Sequence, residues 1–169
     1  VVVNQRHFDA FRIYEMAQVF RPGETHPSDP GETLPEQPRM VGGAVAGQDP
    51  VGLFRAAKGI LEEMPRITMV ESYTFEQREK PVWADPKIWL NVIAGNAVIG
   101  SVGVLSAKAA AAAGIKRMHA ALFELRADRL RPLPSRENRF RHLPTFPLVE
   151  LDLSVLLDEA VSWAELEQL

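Results

Sequence analysis

Residues Phe8 to Gly47 constrain the fold more than any other stretch of this chain. FDAFRIYEMAQVF alternates: Phe11, Ile13, Glu15, Ala17 and Val19 fall on one side, Arg12, Tyr14, Met16, Gln18 and Phe20 on the other. Arg39 to Gly47 is a second, short apolar strand built from small residues. Between them, Thr25 to Pro35 is rich in Gly and Pro and has no apolar period, which predicts a mobile loop. Two such strands around one loop predict a long antiparallel hairpin.

The rest of the chain extends this pattern. Asp49 is placed to cap a helix whose first residue is Pro50. That helix carries Val51, Phe54, Ala57, Ile60, Leu61 and Met64 on one stripe, and Pro65 is expected to end it. Ile67 to Phe75 alternates as a strand, and Glu76 to Pro86 is a polar connection. Lys87 to Ala94 and Ala97 to Leu105 flank Gly95-Asn96, a hairpin turn signal. Ser106 caps a short alanine helix that ends at Gly114. Met118 to Arg126 is another strand, followed by a brief turn at Ala127 to Leu130. Leu148 to Leu156 alternates again, and Ser162 with Glu165 fits a capping box before a helix that starts at Trp163. Strands in sequence-local hairpins outnumber helices. The expected class is therefore α+β, an antiparallel sheet flanked by helices. The prolines from Pro132 to Pro147 mark a linker, dividing the chain into residues 1–131, a linker at 132–147, and residues 148–169. Both ends interrupt apolar patterns, so the chain reads as a fragment of something longer.

Composition narrows function mainly by exclusion. An apolar content of 46% supports a real core, and a net charge of −3 gives no global pull toward nucleic acid. With no cysteine there are no disulfides or thiolate metal sites, which fits a reducing cytoplasm. The apolar run Leu105 to Ile115 is too short to cross a membrane and contains Lys108. His7, His26, His119 and His142 are scattered without ligand spacing, so no metal site is expected. No catalytic nucleophile arrangement is legible, and Gly100-Ser-Val-Gly103 lacks the lysine of a phosphate loop. Trp83 and Trp89, with Pro81 and Pro86, suggest an exposed apolar patch, although core packing is an equal reading for Trp89. Arg129, Arg131, Arg136, Arg139 and Arg141 form one basic run; it reads either as a solvated linker or as an RNA contact centred on Arg136, Arg139 and Arg141.

Five segments in order carry a resemblance: Phe8 to Gly23, Leu34 to Gly47, Phe54 to Met64, NAVIGSVGVL from Asn96 to Leu105, and RHLPTFPLVELDLSVLLDE from Arg141 to Glu159. Together they resemble the β subunit of phenylalanyl-tRNA synthetase, over nearly the whole chain. The resemblance implies a class II aminoacyl-tRNA synthetase-like sheet that serves as a catalytic-like module without making aminoacyl adenylate. It also implies that residues 148–169 open a ferredoxin-fold anticodon-binding domain. The implied parent is a cytoplasmic α2β2 complex. Its α subunit uses ATP and magnesium to join phenylalanine to tRNA(Phe).

The hairpin resembles motif 2 of active class II enzymes, and the resemblance implies that such an enzyme would place an Arg-x-Glu pair on one strand face toward ATP. Here the spacing is Arg12-x-x-Glu15, and an odd separation sends the two side chains to opposite faces. Arg12 and Glu15 are thus degenerate remnants, expected to bind no cofactor. No motif 3 arginine follows Gly103 before Arg117. Other departures are Ser106-Ala107 and Trp83-Ala84-Asp85 in place of histidine-containing segments, and Glu150-Leu151 in place of an arginine pair. The last weakens any RNA role of that stretch. The expectation is a non-catalytic scaffold for the α subunit. The alternatives are a stand-alone synthetase-like binder of a nucleotide or amino acid, and a divergent binding module.

Overall fold

The structure, a computed structural model, describes residues 1–25, 35–135, 149, 151–158, 161 and 163–166. The chain divides into two units, Val1–Glu137 and Asn138–Leu169. Arg136, Arg139 and Arg141 lie outside the described residues, as does Ser162 of the expected capping box.

In the first unit the expected hairpin is β1 (Phe11–Gln18) paired with β4 (Arg39–Gly47), extended by a two-stranded ribbon of β2 (Arg21–Thr25) and β3 (Pro35–Glu36). Helix α1 (Pro50–Thr68) then carries the chain to the far edge of the sheet. From there β5 (Thr74–Glu76), β6 (Ala84–Ala94), β7 (Ala97–Leu105) and β8 (His119–Arg126) meander back, with α2 (Ala107–Ala112) between the last two. The strand β8 closes the gap beside β4, giving an antiparallel six-stranded sheet in the order β1-β4-β8-β7-β6-β5. The α+β antiparallel class is as the sequence predicts.

Local chemistry sets the elements. The Asp49 carboxylate accepts the Val51 N–H at 3.1 Å, and Pro50 follows where no donor is needed. Ser106 caps α2 through the Ala109 N–H at 3.2 Å. Gly95 and Gly114 take the positive φ values that their turns require. In α1, Ala57, Leu61 and Pro65 form a buried stripe at intervals of one turn. The stripe packs on the sheet over Val45, Val92, Val102, Phe123 and Leu125.

Two expectations around Pro65 fail for one reason. The helix passes through Pro65 and ends at Thr68, with Met69 in the left-handed region at φ 58°. The strand expected from Ile67 shrinks to Thr74–Glu76. A proline inside a helix removes the hydrogen bond to the carbonyl four residues earlier, here that of Leu61. The Tyr73 hydroxyl donates to that carbonyl instead. Burial and the nearby Glu62 carboxylate push the Tyr73 pKa up, so the phenol stays a donor. Tyr73→Phe is therefore expected to destabilise the chain by about 1–3 kcal/mol, because it orphans a buried acceptor. Urea unfolding measures this, and a change below roughly 0.5 kcal/mol would refute the substitute bond.

Of the two readings for Trp89, core packing holds: Trp89 is buried and Trp83 half-buried, while Val82 and Pro86 are the exposed apolar side chains of this segment. In the second unit, residues 151–158 carry no strand, against the expectation for Leu148 to Leu156, of which Leu148 and Glu150 lie outside the described residues. A strand exists only through a ladder partner. Leu151, Leu153 and Val155 remain exposed. A short helix, α3 (Trp163–Leu166), follows.

Candidate functional site

The sheet has one face under α1 and one turned away from it. The register assigns each side chain. Arg12 stands opposite Val45, a residue of the α1-side core, and Glu15 stands opposite Gly42. No register shift occurs along β1 and β4, so strand alternation puts Arg12 and Glu15 on opposite faces.

The far face is partly covered. Ala46, Ile115, Met118 and Ala120 make a second apolar cluster there, with Phe11, Leu105 and Ala110 packed around it. Beyond that cluster the face opens into a cleft of about 720 Å³. Ile13, Ala17, Val19, Met40 and Ala44 give it apolar walls; Glu15 and Glu124 enter from either side of Gly42. Two strand spacings separate the two glutamates, roughly 10 Å of backbone. Gly42 leaves the floor between them bare.

This row continues across the sheet. Glu124 stands opposite Ser101, Ser101 opposite Asn91, and Asn91 opposite Glu76. Asn91 is 1% exposed, and its amide is fully used. Its Oδ1 accepts the N–H groups of Arg78 at 3.0 Å and Glu79 at 2.8 Å. Its Nδ2 donates to the Glu79 carbonyl at 3.0 Å and to Ser101 Oγ at 3.1 Å.

At the end of β8, opposite Met40, Arg126 is already engaged. Its guanidinium meets Asp128 at 2.8 Å and Glu36 at 2.6 Å. The Arg126 hydrogen bond holds the Asp128 pKa below the usual carboxylate range, and the bonds to Asp128 and then Glu36 keep the guanidinium firmly protonated. The sequence reading singled out Arg12 and Glu15 but missed Glu124, Ser101 and Asn91. The available signal was a single polar residue interrupting each of three apolar strands. Among the described residues, no group of three or more His, Asp or Glu could hold a metal ion. No helix among them is long and apolar enough to cross a membrane.

Comparison with known proteins shows the family and the fold. Residues 2–127 match the model of the phenylalanyl-tRNA synthetase β chain CLM domain. A phenylalanine–tRNA ligase β subunit from Halalkalibacterium halodurans is 29% identical over 96% of this chain and 20% of its own length. One from Moorella thermoacetica is 31% identical over 86% of this chain and 18% of its own length. The chain thus spans about a fifth of the length of these curated relatives. A solved pyrrolysyl-tRNA synthetase from Desulfitobacterium hafniense has the same fold: TM-score 0.58 at 13% identity, over 75% of this chain and 42% of that one.

Proposed function

The chain belongs to the phenylalanyl-tRNA synthetase β-chain family, and from that premise we propose that it is a non-catalytic scaffold within phenylalanine–tRNA ligase. It supports a separate α subunit, which joins phenylalanine to tRNA(Phe) with ATP and magnesium in a cytoplasmic α2β2 assembly. Residues 148–169 open an anticodon-binding domain in this reading. The exposed Leu151, Leu153 and Val155 then supply one side of a strand whose ladder partners belong to that domain.

The charge of the open cleft carries the proposal. Adenylate formation needs cations aimed at a developing phosphate charge. The cleft presents Glu15 and Glu124 instead. Arg12 is on the other face, and Arg126 is bound to Asp128 and Glu36. Two carboxylates on an apolar floor repel a triphosphate, so the residues present do not fit ATP.

A surface for the partner lies on β1. On this edge strand Tyr14 is 84% and Met16 61% exposed, on the Arg12 side. Unpaired strand edges with apolar side chains are ordinarily covered.

Isothermal calorimetry of the chain with ATP and with phenylalanine is expected to give no saturable heat. Micromolar binding of either would favour a stand-alone nucleotide or amino-acid binder and remove the scaffold reading. Sizing chromatography with the cognate α subunit is expected to show co-elution. Tyr14→Asp with Met16→Asp should abolish it at an unchanged melting temperature. An α subunit that never co-elutes with the unaltered chain would count against the assembly.

A further inference from the structure

At the end of the sheet opposite Arg126, β4 finishes at Gly47 beside His119 of β8. Two glutamines hold the neighbouring turn in place. Gln5 Nε2 donates to the Gly114 carbonyl at 2.9 Å, and its Oε1 accepts the N–H groups of Lys116 at 3.0 Å and Arg117 at 3.3 Å. Gln48 Nε2 donates to the Arg117 carbonyl at 3.0 Å. From below, Ile115 and Met118 are buried in the second apolar cluster. Lys116 and Arg117 therefore stand outward between two anchored residues, on a backbone fixed by side chains from two other segments.

The Gln5 clamp also brings Arg6, His7 and Phe8 to this corner. Arg6, His7, Lys116, Arg117 and His119 are all exposed. Arg6, Lys116 and Arg117 join none of the ion pairs found among the described residues. Asp9, whose backbone carbonyl lies beside Gly47, and Asp49 are acidic residues of the adjoining segments, and Asp49 is occupied as the cap of α1. Phe8 is 57% exposed and meets Phe11 edge-on, with ring centroids 6.5 Å apart. A net charge of −3 thus conceals a local cationic corner next to an open aromatic ring.

We propose that this corner is an RNA contact surface. Arg6, Lys116 and Arg117 take backbone phosphates, and Phe8 offers its ring to a base or ribose. Cations alone suit any polyanion; the adjacent exposed ring is what favours a nucleic acid over an acidic protein surface. Immobilising the Lys116–Arg117 backbone before contact lowers the ordering cost of binding. The choice of tRNA as probe rests on the proposed function, whereas the surface itself rests on the geometry.

The test is anisotropy of a labelled tRNA(Phe) transcript titrated with the 169-residue chain across a salt series. Lys116→Ala with Arg117→Ala is expected to weaken binding by roughly tenfold near ~0.1 M salt and to reduce the slope of log affinity on log salt by about two. Phe8→Ala is expected to weaken binding by about fivefold or more with the slope unchanged. Lys80→Ala with Lys87→Ala, removing exposed cations elsewhere, should change neither quantity. Melting curves confirm that each variant folds. The proposal is overturned by absence of binding at low salt, by equal loss in the control pair, or by poly-glutamate competing as well as RNA. Co-elution with the α subunit is read separately, so failure here is distinguishable from failure of the scaffold reading.

Discussion

Asn91→Leu is expected to lower the unfolding free energy by about 3–5 kcal/mol, at the upper end of single substitutions. Leucine keeps the branched skeleton of asparagine but replaces its oxygen and amino group with two bulkier methyls, so the loss combines four hydrogen bonds with some overpacking. Asn91 is 1% exposed and binds three backbone groups of the 78–79 segment plus Ser101. Leucine leaves the half-buried N–H groups of Arg78 and Glu79 and the Glu79 carbonyl without their partner, on the side of that segment turned toward the buried strand. An unsatisfied buried group costs more than the bond that satisfied it was worth. Ser101→Ala removes only one of the four bonds and is expected to cost about 1 kcal/mol. Urea denaturation with an unchanged m-value reads both. A loss below roughly 1 kcal/mol for Asn91→Leu would mean that water replaces the amide, and that the 78–79 segment is not pinned through this side chain.

The same residue shows where sequence reading stops. Strand existence was legible because alternation is local: β1, β4, β7 and β8 fall within a residue or two of where periodicity puts them. The divergence of Arg12 and Glu15 was legible too, since it needs only parity along one strand. The polar row from Glu15 to Glu76 was not. It arises from registers between strands far apart in sequence, and β8 joins β4 only after the whole meander has formed. Pro65 misled because proline predicts a lost donor but not a replacement, and Tyr73 supplies one from eight residues away. Leu148 to Leu156 misled in the opposite sense. Its alternation is real, but a strand also needs a neighbour. The cationic corner depends on Gln5 reaching the 114–117 turn, a contact between distant segments that charge counting does not foresee.

Two adjacent glycines on β4 are expected to respond oppositely to the same change. A Cβ on Gly43 would lie 2.3 Å from Phe123 Cζ and 2.4 Å from its Cε1, and that ring is only 4% exposed. Gly43→Ala is therefore expected to cost about 1–3 kcal/mol by overpacking. Phe123→Ala alone should cost about 3–5 kcal/mol. The double variant should cost less than the sum by at least about 1 kcal/mol, since removing the ring makes room for the new methyl. A Cβ on Gly42 meets its nearest neighbour, the Phe123 carbonyl oxygen, at an ordinary 3.8 Å. Gly42→Ala should then stay within about 0.5 kcal/mol of the parent, with strand propensity acting in its favour. Equal losses at the two positions would show that the faces are not divided as the register has them. The contrast also bears on function. Smallness at Gly43 is a packing requirement, whereas smallness at Gly42 keeps the floor between Glu15 and Glu124 open without stabilising the fold. If the cleft is idle, as the scaffold reading holds, Gly42→Val fills it and leaves co-elution with the α subunit unchanged. Loss of co-elution in a folded Gly42→Val chain would mean that the partner, or a ligand it needs, occupies the cleft.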